Sequence, residues 1–114
     1  MGPLLISHAL FAQVKVATIK ADPALIEKGR KAYVINCIRC HNKDPNIKGS
    51  FGPEMVDAPL EVMTAKVMTG KYPPKLPAGY VPKRKSKAMQ KLPHVSKDIP
   101  AIYAWVQSVK KKKK

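Results

Sequence analysis

The chain has 114 residues, 22 Lys plus Arg against 7 Asp plus Glu, and a formal net charge of +15. That length builds one domain burying roughly two-thirds of its unfolded surface, so a large enzyme and a repeat array are excluded. No apolar run reaches the ~20 residues of a membrane-spanning helix, and two cysteines cannot make a disulfide-dense scaffold. Aromatics are only 6% and prolines number 11, so bulky core-filling side chains are scarce.

Residues 1–14 read apart from the rest. Leu4, Leu5, Ile6, Ala9, Leu10, Phe11 and Ala12 form an apolar block of signal-peptide length, and Leu10-Phe11-Ala12 is a passable cleavage site. A leader normally opens with basic residues and Met1-Gly2-Pro3 has none, so a loosely packed arm is the alternative. Residues 15–21 read as a linker. The domain is expected over 22–109.

Asp22-Pro23 predicts a helix start: the carboxylate accepts from orphan backbone N–H groups, and proline surrenders an N–H that has no partner there. Ile26, Gly29 or Arg30, Tyr33 and Cys37 then recur at spacings of three and four, which places one stripe on a helix running to the mid-thirties. A second helix is expected from Pro59 to Thr69, with Leu60, Met63 and Val67 on one face and Gly70 as its stop. Residues 70–95 contain Pro73, Pro74, Pro77, Pro82 and Pro93, which forbids a continuous helix and predicts a long stiff loop. The last helix carries Ile99, Ile102, Val106 and Val109 on a shared face with Trp105 alongside, capped by Ser96 or Asp98. No segment alternates with a period of two, so no sheet is expected.

Cys37-Ile38-Arg39-Cys40-His41 carries the chemistry. C-x-x-C-H is the attachment signature of c-type haem, in which two thiols bond the vinyl groups and the adjacent imidazole ligates the iron. A thioredoxin-like pair shares C-x-x-C but needs a strand-rich setting, and structural zinc needs four ligands where only His41, His8 and His94 accompany the thiols. A thioether is the frequent sixth ligand of an electron-carrying iron. Met89, on the proline-rich loop just before the last helix, is the best candidate among Met1, Met55, Met63, Met68 and Met89. Met63 and Met68 fall within the second helix, where methionine commonly fills gaps, and His94 is the runner-up.

From about residue 22 to 109 the chain resembles the class I, mono-haem c-type cytochromes. Gly29 and Tyr33 match the family's N-terminal helix, Trp105 and Val106 its C-terminal helix, and Gly52-Pro53 its Gly-Pro after the haem motif. The resemblance implies a small all-α cytochrome c-like fold around one covalent haem c. It also implies iron ligands His41 and Met89, and a hydrogen bond from His41 Nδ1–H to the Pro53 carbonyl. One departure stands out: Gln90 follows Met89 where the family has proline. A macrocycle at the centre would replace the missing aromatics, with Leu60, Val67, Leu76, Val81, Leu92 and Ile102 as wall residues. Because the family's thioether bonds form outside the cytoplasm, a periplasmic address follows.

From Val62 through Lys97 there is no acidic residue, while Lys66, Lys71, Lys75, Lys83, Arg84, Lys85, Lys87, Lys91 and Lys97 are all basic. Such a surface steers the chain toward an acidic patch on a redox protein partner. The Lys110–Lys114 run reads as a disordered tail, able to rest on an anionic membrane. The expected function is a monomeric electron carrier that transforms no substrate, free or as the haem-bearing subunit of a larger oxidoreductase. Two rivals remain: a basic nucleic-acid or anionic-surface binding module, weakened by aromatics that do not interleave with the basic run, and a catalytic haem with an open iron position, for which no distal acid–base group is evident.

Overall fold

The computed structural model describes residues 22–82 and 88–111. The leader and linker readings, Lys83, Arg84, Lys85 and Lys87, and the tail beyond Lys111 lie outside them. Helix α1 spans Pro23–Asn36, α2 Leu60–Thr69 and α3 Ile99–Ser108, and a 3-10 segment, Pro93–Asp98, leads into α3. The described residues are all helix, turn and loop, with no strand among them.

Local chemistry sets most of the helix ends. Asp22 caps α1, its Oδ1 accepting from Ala24 N at 3.0 Å and Leu25 N at 3.4 Å. Pro59 stands at the N-cap of α2, and Gly70 ends that helix with φ 79°, a left-handed conformation that side chains resist. The expected cap on α3 is only half right. Asp98 occupies the N-cap position, yet its side chain makes no capping bond. The 3-10 segment already turns the chain into the helix, the Ile99 N–H bonding the Ser96 carbonyl, and the Asp98 carboxylate lies 3.8 Å from Lys28 Nζ instead.

Helices α1 and α3 form the most extensive pairing in the molecule. They cross at Gly29, where a Cβ would stand 1.8 Å from the Ala101 carbonyl oxygen, so the backbones meet at a separation only glycine permits. Tyr33 is buried just beyond the crossing, its ring centroid 5.0 Å from that of Trp105 and its hydroxyl donating to the Asn42 carbonyl at 2.5 Å. Val67 and Ile102 are buried with Met63, Val95, Ile99 and Val106, while Leu60 and Leu92 pack on the margin and Leu76 is half-buried. Val81 departs from its expected place in the wall: it is 73% exposed, in the proline-rich loop.

The loop after α1 is stitched to the far end of the chain. Asn46 Nδ2 donates to the Val109 carbonyl at 2.9 Å, and the Lys111 N–H donates to Asn46 Oδ1 at 2.9 Å. Lys110 pairs with Asp57 at 3.2 Å and Lys111 with Asp44 at 3.5 Å. The basic run therefore does not leave the domain at Lys110 as expected, because its first two residues are held by this loop. Among the described residues, no helix is long and apolar enough to cross a membrane.

Candidate functional site

The C-x-x-C-H motif begins where α1 ends. Cys37 is the C-cap, its N–H bonding the Tyr33 carbonyl at 2.9 Å, and the Cys37 carbonyl then accepts from Cys40 N at 3.3 Å and His41 N at 3.0 Å. One tight turn therefore sets the two thiols and the imidazole. The chain returns over this turn at 49–52. The Cys40 carbonyl accepts from Phe51 N at 3.1 Å and Gly52 N at 2.8 Å, and a Cβ on Gly49 would meet the same oxygen at 2.3 Å.

This return builds the seat of His41, which is 9% exposed. Gly52 lies flat against the ring, with a hypothetical Cβ 2.3 Å from Cε1 and 2.4 Å from Nδ1. His41 Nδ1 is 2.9 Å from the Pro53 carbonyl oxygen, the contact the family resemblance implies. A carbonyl only accepts, so Nδ1 carries the proton and the lone pair of the neutral ring lies on Nε2. Pro53 thereby selects the tautomer whose Nε2 is a ligating nitrogen.

The two thiols differ. Cys37 is half-buried against the core cluster, and burial, with Cys40 beside it, pushes its thiol up to about 12. Cys40 is exposed, and so are Ile38 and Phe51, the latter 77% exposed with its N–H bonded to the Cys40 carbonyl. Neither thiol is in a disulfide. Among the described residues no three His, Cys, Asp or Glu side chains come together as a metal-holding group. Cys37, Cys40 and His41 thus do not converge as zinc ligands do. Two unbonded thiols, an imidazole with its lone pair on Nε2 and the exposed apolar Ile38 and Phe51 of the same segments fit the demands of a covalently attached haem.

Met89 reaches the same core cluster as Cys37 from the proline-rich loop. Its N–H bonds the Gly70 carbonyl at 2.7 Å, and the Leu92 N–H bonds the Val67 carbonyl at 2.7 Å, so both residues are pinned along the end of α2. Met63 is a buried core residue, Met68 is exposed and His94 is exposed on the 3-10 segment. Of the expected basic surface, Lys71, Lys75, Lys91 and Lys97 are exposed, but Lys66 is half-buried with its Nζ 3.9 Å from the centroid of the Tyr72 ring. Asn42, Asp44 and Asn46 escape the sequence reading, although polar turn residues at every second position are a signal for side chains that bond backbone. No family model, curated protein or solved structure matches the chain.

Proposed function

We propose that the chain is a mono-haem c-type cytochrome, an electron carrier that transforms no substrate. The observation that carries this reading is the seat of His41: directly after two cysteines in C-x-x-C, its Nδ1–H is committed to the Pro53 carbonyl at 2.9 Å, which leaves Nε2 basic. When bound, the haem supplies an iron that alternates between ferric and ferrous states.

In this reading Cys37 and Cys40 would hold the macrocycle through thioether bonds, and His41 Nε2 and the Met89 sulfur would ligate its iron. Gly52 and Pro53 keep the imidazole from rotating, since the ring has glycine backbone on one side and a fixed acceptor at Nδ1. The Gly70 carbonyl steadies the backbone of Met89. A thioether favours ferrous iron, which raises the potential. Thioether formation outside the cytoplasm makes this a periplasmic protein. The exposed Lys71, Lys75, Lys91 and Lys97 favour a redox partner with an acidic docking patch, and the Lys110–Lys114 run adds affinity for an anionic membrane surface.

The test is the absorption spectrum of chain matured in a host that attaches haem, recorded in both oxidation states and again after denaturation. Haem that stays on the denatured polypeptide, with sharp low-spin bands and a far-red sulfur-to-iron feature, is the expected result. Met89→Ala abolishes that feature. A folded, colourless chain overturns the reading, and an unchanged Met89→Ala spectrum removes Met89 from the iron.

A further inference from the structure

Tyr33 brackets the C-x-x-C-H turn from both ends. Its backbone carbonyl accepts the Cys37 N–H at 2.9 Å where the motif begins, and its hydroxyl donates to the Asn42 carbonyl at 2.5 Å just past the motif's end. One residue of α1 therefore sets the span across which Cys37, Cys40 and His41 are strung. The ring itself is fixed. It is fully buried, stands 5.0 Å from the Trp105 ring and lies one helical turn beyond Gly29, where α1 and α3 meet backbone to backbone. Asn42 is fastened through its side chain too, its Oδ1 accepting the Asp44 N–H at 2.8 Å.

We propose that Tyr33 is a positioning residue for the His41 imidazole, its hydroxyl locking the backbone beyond His41 so that Nδ1–H stays aligned on the Pro53 carbonyl, an inference that rests on the cytochrome reading. A ligand must be held within about 0.5 Å of its working geometry by groups that are themselves locked by packing. Pro53 reaches the ring from a separate return of the chain, so its bond survives only if the backbone that carries His41 is fixed as well. That backbone is held ahead of His41 by the His41 N–H bond to the Cys37 carbonyl at 3.0 Å, and beyond it by the Tyr33 hydroxyl. A buried phenol bonded to a carbonyl gives a directional tie that is costly to break where no water replaces it. Core filling alone does not account for this oxygen, since phenylalanine fills the same space without it. The hydroxyl thus connects the crossing of α1 and α3 to the seat of His41.

The experiment compares the matured, full-length parent with Tyr33→Phe, which keeps the ring and deletes its oxygen. Exchange of the His41 Nδ1 proton with solvent is followed by NMR in the ferrous state at one fixed pH. In Tyr33→Phe it accelerates by about tenfold, the scale on which partners of a ligand histidine act. Ile99→Ala serves as the control for stability alone: it opens a cavity in the buried core at the opposite end of α3 from the Tyr33 ring and accelerates exchange far less. Haem-bearing Tyr33→Phe that exchanges at the parent rate, or no faster than Ile99→Ala, overturns the proposal while the cytochrome reading stands. A parent chain that takes up no haem overturns both. Should Tyr33→Phe take up no haem, Trp105→Leu, which removes the ring that Tyr33 packs on, is read against Ile99→Ala by the same criterion.

Discussion

Gly29 and Ala101 touch backbone to backbone, leaving no volume for a side chain at Gly29. Because the obstacle is the Ala101 carbonyl, the helices must separate to admit even a methyl group, and Tyr33 and Trp105 lose their packing with it. Gly29→Ala is expected to cost about 3 kcal/mol or more. The thermal midpoint, followed by helical circular dichroism, falls by roughly 10 °C or more. Adding Ala101→Gly does not rescue it, since the clashing carbonyl remains.

Gly52 performs a comparable service for the imidazole. Gly52→Ala places a methyl group within 2.3 Å of His41 Cε1, which turns the ring and breaks its bond to Pro53. On the cytochrome proposal the yield of attached haem is expected to fall by roughly tenfold, the scale on which partners of a ligand histidine act. Pro53→Ala retains the carbonyl and is expected to change the yield far less. Nitrogen-15 shifts of the His41 ring report the tautomer directly.

Thiol chemistry separates the two cysteines in chain prepared without haem. The exposed Cys40 alkylates first, and Cys37, raised from 9.0 to about 12 by burial, lags by roughly tenfold or more at neutral pH. The same shift has a stability consequence. The folded chain keeps the Cys37 proton while the unfolded chain releases it, so this contribution is complete below pH 9.0 and disappears as pH rises toward about 12. Tyr33, pushed up by its own burial, acts in the same direction. Peptide mapping after brief alkylation and denaturation curves across this range check both statements.

The Asn46 stitch responds to acid. Backbone and side-chain bonds from Asn46, with Lys111 beside it, hold the Asp44 carboxyl below its ordinary value of 3.8. Its stabilisation is present above that value and is lost as pH falls through the lower folded one. Asn46→Ala removes the bonds to Val109 and Lys111 at a cost of about 1–2 kcal/mol. The protection factor of the Lys111 amide against hydrogen exchange, measured relative to the intrinsic rate at each pH, is expected to fall in Asn46→Ala at neutral pH, and in the parent only on acidification.

If the chain is the electron carrier proposed, its transfer to an acidic partner is expected to slow as ionic strength rises. Exposed charges such as Lys71, Lys75, Lys91 and Lys97 act through solvent, where salt screens beyond about 10 Å at 0.1 M. Stopped-flow rates against salt measure this, and a flat profile removes the docking role from these lysines.

What is legible in the residues alone follows the reach of each cause. Asp22-Pro23 and Gly70 announce the ends of α1 and α2 because a cap and a left-handed glycine act within one turn of chain. Cys37 to His41 is legible for the same reason, being five consecutive residues. The 3-10 segment before α3 is not, since the Leu92 N–H bond to the Val67 carbonyl that positions its start joins residues distant in the chain. Lys66 counts as one charge among many until the reversal at Gly70 lays Tyr72 beneath it. Asn46 reads as loop polarity, and its purpose is visible only once Val109 and Lys111 are beside it.

That last contact also ties the far end of the sequence to the site. The 42–57 loop carries Gly52 and Pro53 against His41, yet the stitch that fastens it requires Val109 and Lys111, 63 and 65 positions beyond Asn46. A truncation before Val109 removes that fastening, so a change at the end of the domain is felt at the seat of His41.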